Sequence, residues 1–130
     1  MKFAYAIIYV PNVAESLTFF ETAFGFKRKF LVDTGDYGEL DTGATTLAFA
    51  DHALGASHFA GGMVKASESV QPLGMEIALV TDDVAAAHSR ALQAGARELA
   101  APQTKPWGQM VSYVRCPDGS LVELCSPMGA

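Results

Sequence analysis

The 130-residue sequence predicts an α+β fold built from two βαβββ modules, and three observations carry that expectation. First, Tyr5-Ala6-Ile7-Ile8-Tyr9-Val10-Pro11-Asn12-Val13 lies over Glu76-Ile77-Ala78-Leu79-Val80-Thr81-Asp82-Asp83-Val84 without a gap, so strand and helix cap recur at a period near 71 residues (Tyr5 to Glu76). Second, each copy runs from an apolar strand into an apolar-periodic helix stopped by a glycine, Gly25 or Gly95, and on into short strands. Third, half of the residues are hydrophobic in a chain long enough for one compact domain. The chain therefore divides into module 1 at about residues 1–52, a linker at about 53–72 and module 2 at about 73–127, within one domain spanning 1–130. A curved sheet of this kind cannot bury its concave face alone. The two modules are expected to pair and enclose a central cleft, the default binding site.

Residues 3–10 alternate Phe3, Tyr5, Ile7 and Tyr9 with Ala4, Ala6, Ile8 and Val10, and both faces are apolar enough to be covered, as in a central strand. Asn12 is an N-cap with Glu15 three positions on. Val13, Leu17, Phe20 and Phe24 then recur at helical spacing up to Gly25. Strands are expected at residues 26–34, 37–41 and 45–50, separated by Gly35-Asp36 and Thr42-Gly43. The following stretch has two histidines, small residues and no sustained period, which marks the linker or a covering loop. Module 2 repeats the pattern with a strand at 75–81, Asp83 as N-cap, a helix through Val84, Ala87, Ala91 and Leu92, and a short strand near 97–100. A loop at 102–108 precedes a hairpin of strands 109–115 and 121–125 around Pro117-Asp118-Gly119.

The net charge of −5 argues against a surface that tracks nucleic-acid phosphates, and no apolar run reaches the ~20 residues that cross a bilayer. Cys116 and Cys125 stand too far apart along the hairpin for a bridge and are read as reduced core thiols, consistent with a cytoplasmic location.

Glu76 and Glu123 each interrupt an otherwise apolar strand. An ionised carboxylate removed from water is costly unless a metal, a partner or protonation offsets it, so two in one half of a small domain mark a site. Facing one cleft, they would raise at least one pKa and leave one acid that donates and one carboxylate that accepts. Tyr5, Phe49 and Tyr113, together with Tyr9, are candidates for aromatic walls. Trp107, in the loop before a strand, is either a stacking wall for a flat ligand or a lid over the core. His52 and His58 fit no metal spacing and read as loop residues, and His88 is expected to face solvent. Lys27-Arg28-Lys29 reads as the charged face of an edge strand.

Taken together, Tyr9-Val10-Pro11-Asn12-Val13 with Ser16, Phe19-Phe20 and Phe24-Gly25-Phe26, then 77–84, Ala94-Gly95-Ala96 and Pro117-Asp118-Gly119-Ser120-Leu121-Val122-Glu123-Leu124, resemble the vicinal oxygen chelate superfamily. That family includes glyoxalase I, extradiol dioxygenases, methylmalonyl-CoA epimerase and the bleomycin-resistance proteins. The resemblance implies a glyoxalase-like fold and a homodimer that completes its clefts across a two-fold axis. Metal-using members place one ligand in the first and last strand of each half. Carried over, those positions are Glu76 and Glu123 in the second half, and Tyr5 with Leu47 or Ala48 in the first. Departure at three of the four positions leaves an incomplete shell for Zn²⁺, Ni²⁺ or Fe²⁺. The leading expectation is a protein that binds an aromatic or cationic small molecule without a complete metal site or other cofactor. The alternative is a lyase, isomerase or dioxygenase in which Glu76 and Glu123 hold a divalent ion such as Mg²⁺ or Mn²⁺ and one of them moves a proton.

Overall fold

The computed structural model describes residues 1–129. Module 1 consists of β1 (Tyr5–Val10), α1 (Val13–Phe24), β2 (Lys27–Leu31), β3 (Tyr37–Asp41) and β4 (Thr46–Asp51). The linker opens with the short helix α2 (His52–Ala56). Module 2 follows as β5 (Ile77–Val80), α3 (Val84–Ala94), β6 (Arg97–Thr104), β7 (Met110–Arg115) and β8 (Leu121–Cys125). Each module forms a four-stranded mixed sheet, ordered β1-β4-β3-β2 in the first and β5-β8-β7-β6 in the second.

The duplication extends to the helix caps. Asn12 Oδ1 accepts from Glu15 N at 3.0 Å, and Asp83 Oδ1 accepts from Ala86 N at 3.0 Å, each satisfying a donor that the first turn leaves free. Gly25 (φ 76°) and Gly95 (φ 119°) close the helices in left-handed backbone that other residues adopt at a cost.

The core lies between each sheet and its helix, and the two helices pack against each other. Arg90 Nε on α3 donates to Thr22 O on α1 at 2.7 Å. Buried Ser16 on α1 donates to Asp118 Oδ2 in the β7–β8 turn at 2.7 Å. The two sheets do not close on each other, but the cleft expected between the modules is present at their seam, where β1 faces the residues that lead into β5. Among the described residues no strand pairing joins the sheets, and the helix contact is the main link between the modules. β1, expected to be central, is an edge strand, with Tyr5 and Ile7 about half exposed. Its second apolar face is covered in part by the linker, where Met63 and Tyr9 both close over Gly55.

Other departures have local causes. Strand β6 runs on through Pro102 to Thr104 where a loop was expected, because it is the edge of its sheet and its pairing is irregular between Ala100 and Gln103. There a residue without an N–H costs little. Both cysteines are buried free thiols, as expected, and burial pushes the Cys116 thiol up to about 12. No described helix is long and apolar enough to cross a membrane.

Candidate functional site

The strand register decides which side chains share the open faces. In module 2, Ala78 pairs with Glu123 and Tyr113 pairs with Glu123, so Glu123 and Tyr113 stand side by side on one face of the sheet, with Glu76 just ahead of β5. In module 1, Ile7 pairs with Ala48 and Glu39 with Ala48. Ala48 therefore occupies the place of Glu123, Glu39 that of Tyr113 and Tyr5 that of Glu76. This resolves the choice between Leu47 and Ala48, since Leu47 points to the core side.

Three of the candidate residues come together on the second face. Tyr113 Oη donates to Glu123 Oε1 at 2.7 Å, and this bond to the carboxylate, followed by burial, pushes the phenol up to about 12. Glu76 is exposed as a residue, yet its carboxyl is held above the ordinary value of 4.5. Desolvation contributes most, then the charge of Glu123, then a hydrogen bond between the two acids. Cys125 lies on the same face and its thiol is also raised, first by burial and then by Glu123.

The remaining candidates lie elsewhere. Phe49, expected to line the cleft, is instead fully buried on the helix side of the first sheet, its ring 5.0 Å from that of Phe20. Its place in β4, one residue beyond Ala48, turns it inward. Tyr5 is on the open face of the other module, 55% exposed. Trp107 is no lid over the core: 61% exposed, it projects from the β6–β7 loop and donates to Gln109 Oε1 at 2.9 Å. His58 is exposed, whereas His52 is half-buried at the start of α2 with its Nε2 unpartnered.

His88, expected at the surface, is corrected: it is 4% exposed inside module 2. Its Nδ1 lies 2.9 Å from Ser112 Oγ and its Nε2 lies 2.7 Å from Glu98 Oε2. The sequence of groups is serine, imidazole and carboxylate, but Ser112 is wholly buried and no substrate can reach it, so the chain supports the fold. Its neighbours Val84 and Ala91, four residues before and three after, already mark the buried side of α3, and helical spacing places His88 with them.

Glu39 is the residue that the sequence reading overlooked. It is 7% exposed in the middle of β3 and accepts from Tyr37 Oη at 2.7 Å, with Lys29 Nζ at 3.8 Å. Burial, then the bond to Glu39, drives the Tyr37 phenol upward. The alternation of Tyr37, Glu39 and Asp41 against Gly38 and Leu40 was the available signal.

The residues do not fit the four-donor metal set of the fold. Ala48 has no donor atom, Tyr5 offers a phenol where a nitrogen ligand is expected, and among the described residues no three His, Cys, Asp or Glu side chains converge.

The sequence matches the family model described as the Glyoxalase/Bleomycin resistance protein/Dioxygenase superfamily over residues 2–124, and the chain belongs to that superfamily. Solved structures share the fold at low identity. A glyoxalase-related enzyme from Fulvimarina pelagi is 22% identical with a TM-score of 0.81, covering 98% of this chain and 91% of that one. A protein of unknown function from Agrobacterium tumefaciens str. C58 is 22% identical with a TM-score of 0.78, covering 98% and 95%. A glyoxalase/bleomycin resistance protein/dioxygenase family enzyme from Burkholderia phytofirmans PsJN is 16% identical with a TM-score of 0.76, covering 97% and 98%. No curated protein matches the sequence significantly.

Proposed function

We propose that this chain binds a small cationic molecule, in the manner of the bleomycin-resistance branch of its superfamily, on the face that carries Glu76, Glu123 and Tyr113. The observation that carries this reading is the acid pair. Glu76 and Glu123 stand close enough for the charge of Glu123 to raise the Glu76 carboxyl, and the Tyr113 phenol donates to Glu123, while among the described residues no set of three His, Cys, Asp or Glu side chains forms there. An ammonium or guanidinium group would donate to both carboxyl groups and relieve the repulsion between the acids. The reaction alternative loses support from the same donor set, since a divalent ion would have only two carboxylates to anchor it. The two free thiols fit a cytoplasmic location.

The reading includes a homodimer. Phe3 and Tyr5 on the first face and Val80 on the second are exposed apolar side chains, and β1 and β5 are both sheet edges. A second copy laid across them would cover the apolar rows and wall the acid pair.

The test is isothermal calorimetry with benzamidine and benzylamine on wild type and Glu123→Gln, with mass spectrometry of the recovered ligand. Binding that weakens at least tenfold in the variant, with ligand recovered unchanged, supports the proposal. Equal binding by both proteins, or a chemically altered ligand, overturns it.

A further inference from the structure

Beside the acid pair lies an apolar cleft of about 230 Å³ that the reading above does not use. It opens at the seam between the modules. Ile7, Ile8 and Tyr9 of edge strand β1 form one side and Met75, Glu76 and Ile77 the other. The linker covers it with Met63, Val64, Ala66 and Leu73, and the β7–β8 turn closes its end. Glu76 is its acidic lining residue, and Glu76 is also half of the pair with Glu123.

We infer that the ligand is an amphipathic amine or amidine whose charged head meets Glu76 and Glu123 and whose apolar tail fills this seam cleft. The inference rests on the reading of the acid pair as a cation site and adds the chemical class of the rest of the molecule. Three observations carry it. The volume is below the roughly 300–1,000 Å³ of pockets that hold a whole drug-sized ligand, so it suits a tail. Two of the lining side chains, Met63 and Met75, are unbranched thioethers that adapt to irregular apolar shapes.

The walls are also held in place, so the cleft is preformed. Arg115, 9% exposed, donates from Nη2 to Ala66 O and Ser69 O at 2.9 Å each, from Nη1 to Val70 O at 3.1 Å, and from Nε to Gly119 O at 3.2 Å. Gly119 (φ 93°) lets the turn lie directly on the linker, where a Cβ would stand 2.1 Å from Ala66 O. On the other side Gly55 leaves room for the Tyr9 ring and the Met63 terminal methyl, which would stand 2.8 and 2.7 Å from a Cβ there. A preformed site loses less ordering entropy on binding.

The experiment measures affinity for straight-chain primary amines from ethylamine to decylamine by calorimetry on wild type, Val64→Trp, Leu73→Trp and Glu123→Gln. The readout is the slope of affinity against chain length. Each methylene buried in the cleft should raise affinity about fourfold until the cleft is full, after which affinity levels off. The slope should flatten in at least one tryptophan variant. A slope unchanged in both overturns the assignment of the tail to the seam. Affinity independent of length in wild type, with binding still lost in Glu123→Gln, overturns this inference and leaves the head-group reading standing. No binding of any amine, or equal binding by Glu123→Gln, overturns both.

Discussion

The two modules share strand order, caps and helix stops, yet they are filled differently. Along the duplication, Phe20 of module 1 corresponds to Ala91 of module 2, Leu17 to His88, Gly38 to Ser112 and Phe49 to Leu124. Module 1 has an aromatic interior in which the Phe20 ring lies 5.0 to 5.9 Å from those of Phe49, Phe24 and Phe19. Module 2 has smaller apolar residues and a buried polar chain through His88. The open faces divide in the reverse sense: the acid pair belongs to module 2, and the matching positions in module 1 are Tyr5 and Ala48. The difference teaches that one topology holds two kinds of filling, aromatic packing in the first half and a buried polar chain with an acid pair in the second.

The largest expected effect tests the packing half. Phe20→Ala should cost about 4 kcal/mol in urea denaturation, because it empties the centre of the aromatic cluster, whereas Ala91→Gly at the matching site should cost only about 1 kcal/mol. Near-equal losses would break the comparison. Next, Arg115→Ala should cost about 3 kcal/mol, since it leaves four carbonyls of the linker and turn without their donor. Limited proteolysis should then cut between residues 64 and 72.

The polar chain can be converted to its module 1 counterpart. His88→Leu alone should cost about 2 kcal/mol by stranding Ser112, and His88→Leu with Ser112→Gly should cost about 1 kcal/mol because the pair then reproduces Leu17 against Gly38. A double variant worse than the single would refute the equivalence.

The smallest effect concerns Glu76. Its folded pKa is raised, so the folded state binds the proton more tightly. Its contribution to stability is therefore fully present below the ordinary value of 4.5 and is lost as pH rises through the raised value. Glu76→Gln should give a small rise in thermal midpoint at pH 7, and a smaller drop than wild type as pH rises above 4.5.

The helices, their caps and the duplication were legible in the sequence because they depend on neighbours three or four residues away. The register of Glu123 with Tyr113 was legible only in outline, and the edge position of β1 was not. Alternation along residues 3–10 reports that both faces want cover but not what supplies it, and here helix α1 covers one and the linker covers part of the other. Glu39 and His88 were missed although a local period marked both, because their partners Tyr37, Ser112 and Glu98 become neighbours only when strands pair or a helix docks.

Arg115 has a consequence for how this protein can change. Its partners in the linker are main-chain carbonyls together with the Ser69 hydroxyl, so the path of the linker is fixed with almost no reference to which side chains it carries. Met63, Val64 and Leu73 can then be exchanged for other apolar residues without unseating the segment. The scaffold thus separates holding the wall from choosing its shape, and a new ligand tail could be accommodated by substitutions confined to one short stretch.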